Sequence, residues 1–476
     1  MIPVLTPDQA RRADAAAGVD IEVLIERAGA AVARSAIDML GGAYARTVVV
    51  LAGPGMNGAD GRVAARHLAA AGCRVKVVDA LDAPDDVADL FSRSDAGCDL
   101  VIDAAFGTGA RAGWMPPAVE GVPVLAVDLP SGLDPMTGEG DAVLRADVTV
   151  TFAASKPGLH LGIGPDVAGR IEIADIGLNP LPDGAEPHAW LVTGADVAAW
   201  WPRRARTAHK WSAAVRVVAG GPGMRGAAQL AASAAFRAGA GMVRLSSPGA
   251  PDGYSAPIEA VHESLPIDGW AAQVFEDLHR FGSLVVGPGL GRADVTAAEA
   301  ARVVFDSGLP AVVDGDGLFA LSWNPHGAPG SLRGRGAPVV LTPHAGEFAT
   351  LTGSAPGADP IAAANELVAE TGAVVLLKGP TTVVAGPDGR TYLVTRGDRR
   401  LATAGTGDVL SGVIGALLAG GCPPGRAAAA AAWVHGDAAR RCGALPVAGD
   451  LPEMIAEVVA DLLAVAGPSH AGQFED

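Results

Sequence analysis

Two apolar patterns alternate along the chain. Short unbroken runs of Val, Ile, Leu and Ala read as buried parallel strands, and longer stretches with apolar positions three to four apart read as helices packed on a sheet. In the front half, a helical pattern spans 8–40. Strand-like runs follow at 47–51, 75–78, 100–102, 124–127 and 148–152, with a helix over 62–71. Each run ends in a loop carrying Asp, Gly or Pro, as expected where parallel strands hold site residues at their carboxyl ends. The spacing predicts a doubly wound α/β sheet.

The pattern breaks at 177–188 (GLNPLPDGAEPH), where proline, glycine and acidic residues replace periodic apolar ones, and a linker is expected there. Beyond it, runs at 213–219, 284–286, 311–313, 339–341, 374–377 and 382–385 alternate with Ala-rich helical stretches such as 227–238, which predicts a second α/β domain. The expected domains are 1–185 and 189–470, and 467–476 reads as a loose tail.

Composition narrows the picture. A chain of 476 residues exceeds one ordinary core, and with 49% hydrophobic but only 4% aromatic residues its cores must be built from small aliphatic side chains. The formal charge of −17 argues against a nucleic-acid or anionic-membrane surface, so any phosphate site must be local. Cys73, Cys98, Cys422 and Cys442 show no paired spacing, which suggests neither a zinc site nor a disulfide framework. No secretory pattern opens the chain, and no apolar run approaches the roughly 18 residues of a membrane span. A soluble protein of the reducing cytoplasm is expected.

The strongest chemical signal is Thr403-Ala404-Gly405-Thr406-Gly407-Asp408, where a glycine loop turns into the apolar helix 409–418. First-turn N–H groups can cradle a transferring phosphoryl group, and Asp408 beside them can take a proton from an attacking hydroxyl. Taken alone, the same residues also describe a glycine turn with an ordinary capping Asp. In the front half, Gly53-Pro54-Gly55-Met56-Asn57-Gly58 matches GxGxxG between a strand and a helix, with Asp79 ending the next strand, so a dinucleotide site must be considered. Asn57 and Asp60 are unusually polar for that loop. Oxygens from Asn57, Asp103 and Ser131 would suit a hard monovalent or divalent cation, while each residue singly also fits a turn or cap. In the rear half, Gly287 to Gly291, Asp314-Gly315-Asp316, Thr342 to Glu347 and Lys378-Gly379-Pro380-Thr381-Thr382 each end an apolar run, with Lys378 a cation for phosphates.

Glu26-Arg27-Ala28-Gly29, the loop from Gly53 to Gly61, Asp103 with Gly107-Thr108-Gly109, Asp128 to Leu133 and Lys156-Pro157-Gly158 together resemble the NAD(P)H-hydrate epimerase domain over nearly all of 1–178. The resemblance implies a potassium ion held by Asn57, Asp103 and Ser131. It also implies hydrate contacts from Met56, Asn57, Gly58, Ala59 and Asp60, from Gly107, Thr108, Gly109, Ala110, Arg111, Ala112 and Gly113, and from Asp128, which is also the expected catalytic residue. The family's usual loop reads Asn-Asn-Gly-Gly-Asp, so Met56 and Ala59 are departures. The rear half, from His209-Lys210 through 220–228 (GGPGMRGAA) to Trp433-Val434-His435-Gly436, resembles the ribokinase-like ADP- or ATP-dependent NAD(P)H-hydrate dehydratases. There the resemblance implies nucleotide contacts from Lys378, Gly379, Pro380, Thr381, Thr382 and Gly407, and hydrate contacts from Ala228, Gly289, His344 and Asp408. Asp408 would be the base, with Mg2+ bridging the phosphates.

The fold expected is therefore a Rossmann-like doubly wound domain followed by a ribokinase-like α/β domain. The expected activity is repair of NADH and NADPH hydrates: epimerisation of their R and S forms, and dehydration of the S form at the expense of ADP. A homo-oligomer, up to a tetramer, is expected. Two further readings stay open: a ribokinase-like kinase for a vitamin-type alcohol with a dinucleotide-binding front domain, and a non-catalytic nucleotide sensor.

Overall fold

A computed structural model of the chain describes residues 1–81, 98–109, 114–250, 256–323 and 329–465; the tail at 467–476 lies outside them. The chain forms two compact units, 2–189 and 190 onward. The boundary follows directly on the proline- and glycine-rich stretch 177–188.

The front unit carries the strands β1 Ile2–Val4, β2 Thr47–Ala52, β3 Arg74–Asp79, β4 Leu100–Ala104, β5 Val124–Val127, β6 Val148–Phe152 and β7 Arg170–Ala174. Six of them form a parallel sheet in the order β3-β2-β4-β5-β6-β7. β2, β4 and β5 are buried almost throughout, which is why they read as unbroken apolar runs. After β2 the chain steps outward to β3 and returns on the other side as β4. That reversal of strand order opens a crevice at the carboxyl ends of β2 and β4.

The helical pattern expected over 8–40 is two helices, α1 Pro7–Ala16 and α2 Ile21–Leu40. α1 is started by a capping box between Thr6 and Gln9, and left-handed Gly18 (φ 66°) separates the pair. α3 spans Met56–Ala70 and so begins six residues before the periodic pattern at 62. The reason is its small first turns. A Cβ on Gly58 would lie 1.9 Å from the Gly53 carbonyl oxygen, and one on Gly61 2.4 Å from the Ala104 Cβ. Residues that close to the sheet carry no side chain from which a period could be read.

The rear unit's sheet runs through β8 Ala189–Leu191, β9 Ala214–Val218, β10 Met242–Pro248, β11 Val261–Leu265, β12 Ser283–Val286, β13 Ala311–Val313, β14 Val339–Leu341, β15 Val374–Leu377, β16 Thr382–Ala385 and β17 Thr391–Val394. Their order is β8-β17-β16-β15-β14-β13-β12-β9-β10-β11, with antiparallel pairing only where β16 meets β15 and β17. β9 and β12 are the switch point here, since the chain runs outward through β10 and β11 before returning as β12. β10 and β11 escaped the sequence pattern because polar residues interrupt them. Arg244 of β10 and the fully buried Arg216 of β9 are neutralised by Glu263 of β11 and by Asp277, so the strands bury charge in pairs.

The helix Thr406–Ala419 is apolar nearly all round and correspondingly buried. A Cβ on Gly412 would come 2.1 Å from the Ala231 carbonyl oxygen, so this helix packs backbone to backbone on Arg225–Arg237. That contact fixes where its amino-terminal turn points.

Candidate functional sites

In the front unit, the loops after β2, β4 and β5 leave one edge of the sheet and meet. A Cβ on Gly107 would lie 3.2 Å from Asn57 Oδ1 and 3.5 Å from Asp128 Oδ2, which places one residue from each loop around a single point. They border a cavity of about 410 Å³ whose lining includes Met56, Asn57, Asp60, Thr108, Asp128 and Lys156. Gly58 backs onto Gly53, and Ala59 follows it within the first turn of α3. Ala110, Arg111, Ala112 and Gly113 lie outside the described residues.

Asp128 sits in the left-handed region at φ 67°, an unusual conformation for a residue with a side chain. Its carboxylate takes an ion pair from the buried Lys156 ammonium and a 3.0 Å hydrogen bond from Thr151 Oγ1; Lys156 also donates to Thr151 at 2.7 Å. Asp60 lacks such a cation. Burial first, then the charges of Asp128 and Asp14, push its carboxyl up to about 8, with Lys156 opposing. Asp103 and Ser131 are joined directly. The fully buried Asp103 accepts from the Ser131 hydroxyl at 2.6 Å, the Ser131 N–H at 2.7 Å and the Ala105 N–H at 3.3 Å. Burial pushes its carboxyl up to about 6 against those bonds. Asn57 is not among its partners; the buried Asn57 Nδ2 has no hydrogen-bond partner among the described residues. Asp79, the acidic residue of the dinucleotide pattern, is held 3.5 Å from Arg62.

In the rear unit the loops after β9, β12, β13, β14 and β15 share the carboxyl edge of parallel strands. Those flanking the switch point are pinned together, with the Gly220 N–H donating to the Pro288 carbonyl at 2.9 Å and the Gly221 N–H to the Gly289 carbonyl at 2.7 Å. Ala228 is fully buried, and a Cβ on Gly220 would lie 2.6 Å from its methyl. At the centre is Asp314. It accepts from Lys378 Nζ at 2.9 Å, Thr342 Oγ1 at 2.8 Å and Ser411 Oγ at 2.7 Å. Burial works against its ionisation, but Lys378 and the hydroxyls outweigh it and hold its carboxyl below the usual range. Lys378 also lies 3.5 Å from Glu347, so it is half of a carboxylate-bound network rather than a solvated strand-end cation. Burial alone would lower its pKa, yet Asp314 and Glu347 raise it.

The helix entrance abuts this network. Gly405 caps it in the left-handed region at φ 94°, where a Cβ would strike Leu230 at 2.6 Å, and a Cβ on Gly407 would be 3.4 Å from Lys378 Nζ. The Gly407 and Asp408 N–H groups have no acceptor within the helix. Burial and the neighbouring Asp314 charge push the Asp408 carboxyl up to about 7, partly offset by Lys378. His344 caps the helix Ala345–Thr352, its Nδ1 accepting from the Gly346 N–H at 3.0 Å and the Glu347 N–H at 3.2 Å while Glu347 accepts from the His344 N–H. Gly379, Pro380 and Thr381 turn the chain from β15 into β16, which Thr382 opens.

The dehydratase family model, described as NAD(P)H-hydrate dehydratase, matches 215–460, and the YjeF-related protein N-terminus model matches 21–90 and 81–158. The bifunctional NAD(P)H-hydrate repair enzyme of Salinibacter ruber is 39% identical, with 96% of each chain aligned. The chain belongs to the NAD(P)H-hydrate repair enzyme family. Another relative, from Mycobacterium leprae, is also 39% identical over 92% of this chain and 93% of its own. A ribokinase-like superfamily protein from Enterococcus faecalis, 19% identical, shares the rear fold with a TM-score of 0.51, covering 58% of this chain and 96% of that one. Sequence reasoning did not single out Ser411, although a lone hydroxyl in the run from Val409 to Leu418 was a visible anomaly. Nor did it single out Asp14, which lines the front cavity from α1, for which the sequence carries no local signal.

Proposed function

We propose that the two units carry the two steps of NAD(P)H-hydrate repair, the front unit interconverting R and S hydrates and the rear unit dehydrating the S form with ADP or ATP. The observation that carries this reading is the rear helix entrance: a half-buried Asp408 with a carboxyl pushed up to about 7, beside first-turn N–H groups with no acceptor within the helix and the Asp314–Lys378 pair. A ring hydroxyl is a poor leaving group. Phosphorylation turns it into phosphate, and elimination then restores the reduced ring. Asp408 takes the hydroxyl proton, the amides of Gly407 and Asp408 accept charge from the transferring phosphoryl, and Gly379 to Thr382 face the nucleotide. Mg2+, bound with the nucleotide, would supply charge neutralisation at its phosphates.

In the front unit, the oxygens of Asn57, Asp103 and Ser131 suit a potassium ion, and one observation supports it: Asp103 is a fully buried carboxylate that no cationic side chain contacts among the described residues. The bound ion would supply the missing positive charge and order the loops after β2 and β4. Asp128, with Lys156 and Thr151 holding it, and Asp60 would contact the hydrate. Among the described residues no helix is long and apolar enough to cross a membrane, and the four cysteines are free. We read the protein as a cytoplasmic homo-oligomer. The test is incubation of the purified protein with mixed R and S hydrates, with ADP, with ATP and without either. Both hydrates should disappear only with nucleotide, releasing phosphate and regaining the absorbance of reduced nicotinamide. A retained phosphorylated ring product would instead mark a small-molecule kinase.

A further inference from the structure

The segment from Leu5 to Asp14 forms one wall of the front cavity, through Leu5, Ala10, Arg11, Ala13 and Asp14, although the N-terminal family model begins matching only at residue 21. α1 therefore brings a carboxyl group to a cavity also lined by α2, α3 and loops of the sheet. To the same cavity α3 brings Asp60, which is buried. The cations of this cavity are engaged elsewhere: Lys156 is bonded to Asp128 and Thr151, and Arg11 is paired with Asp8. Two carboxyl groups from different elements thus share one cavity, and neither has an ion-pair partner among the described residues.

Resting on the epimerase reading above, we infer that Asp14 is a further catalytic residue of the front cavity, acting with Asp60 as the acid pair that protonates the hydroxyl leaving the hydrate ring. Water adds to a reduced nicotinamide ring as it does to an enamine, with the oxygen on the carbon bonded to nitrogen. Inversion there requires that C–O bond to break and re-form on the opposite face. The ring nitrogen's lone pair forms a C=N bond as the C–O electrons leave with oxygen, and a proton from the acid pair makes the leaving group water. Water then adds to the other face, the C=N electrons return to nitrogen, and the proton it sheds goes to a cavity carboxylate, so no proton or electron is gained over the cycle.

The electrostatics shift both carboxyls upward. Burial is the first cause that raises both carboxyls, each is further raised by Asp128, and Asp14 adds to the shift at Asp60; Lys156 is the opposing charge for both. Asp60, pushed up to about 8 with the Asp14 charge adding to that shift, stays protonated near neutral pH, as expulsion of hydroxide needs.

The test compares Asp14→Asn and Asp14→Glu with wild type in R-hydrate consumption across pH. Asp14→Asn should lose roughly 10²-fold in kcat with KM near wild type. Its alkaline limb should move to lower pH, because the Asp14 charge helps keep Asp60 protonated. Asp14→Glu should recover part of the rate. An Asp14→Asn protein within a few-fold of wild type, with its limb unmoved, overturns the assignment. Carbon-detected titration of the wild-type carboxyls needs no variant: coupled titrations displaced upward are expected at Asp14 and Asp60, and an Asp14 titrating as an ordinary aspartate overturns the pair. Wild-type protein that leaves the R to S ratio untouched removes the epimerase reading itself, whereas active wild type with an unaffected Asp14→Asn removes only this inference.

Discussion

The two units use the same topological device with opposite electrostatics. Each opens its site where strand order reverses, between β2 and β4 in front and between β9 and β12 behind. In front, the loops border a cavity in which burial raises carboxyls and Lys156 is ion-paired with Asp128. Behind, Lys378 sits between Asp314 and Glu347 at a helix entrance, keeping Asp314 ionised while Asp408, lacking a direct cation, is pushed up to about 7. Placing a hydrate for loss of its hydroxyl calls for an acid in a closed cavity. Transferring a phosphoryl group calls for a base beside fixed N–H donors, with negative charge held in register by a lysine.

The contrast breaks most directly at Asp408. Asp408→Asn keeps size and fold, and phosphate release from the S hydrate should drop by roughly 10²–10⁴-fold; R and S interconversion should be unaffected. A variant within a few-fold of wild type in phosphate release would remove Asp408 as the base.

Asp103→Ala is the front-unit counterpart. It removes the only charged member of the candidate potassium set and leaves the Ser131 donors without their acceptor, at about 1–3 kcal/mol for each buried group. R-hydrate consumption should slow by about tenfold or more as cation occupancy drops, and exchange of potassium for lithium should no longer matter, while S-hydrate dehydration continues at the wild-type rate. Equal, potassium-independent R-hydrate rates in wild type and variant would show that these residues hold no such ion.

Lys378→Ala strands Asp314 as a buried carboxylate, which should destabilise the rear unit by about 3 kcal/mol in denaturant unfolding. The KM for nucleotide should rise more than that for hydrate. A change confined to hydrate affinity would exchange the two subsites.

The smallest effect is in pH. A base near 7 must be deprotonated, so the dehydration rate should fall about tenfold per pH unit below that value and level off above it. Because Lys378 draws the Asp408 carboxyl down, Lys378→Ala should move this limb to higher pH. A limb that stays in place would uncouple the two residues.

Much of this was readable before any coordinates. The unbroken apolar runs marked the parallel strands β2, β4, β5, β9 and β12 to β15, and the antiparallel β16, because strands buried on both faces leave no polar positions to disguise them. The motif residues Asn57, Asp103, Ser131 and Lys378 stand at or just beyond strand ends, where such sheets carry their sites, and Asp408 stands at a helix entrance. Composition set the small-aliphatic cores, and the glycine loops marked where backbone approaches closely.

The tertiary structure decided what those residues do to one another. That α1 places Asp14 in one cavity with Asp60 has no signature in 7–16, since the cavity joins two elements whose periods are independent. That Arg216 and Arg244 can lie within a sheet follows from Glu263 and Asp277 arriving on neighbouring elements. Lys378 reads in sequence as a strand-end cation for phosphates, and only the fold brings Asp314, Glu347 and the Asp408 turn around it. Local patterns determine which segments become strands and helices because burial of a face is a property of the segment; the charge state of a carboxyl depends on which other charges the fold brings within a few ångströms of it.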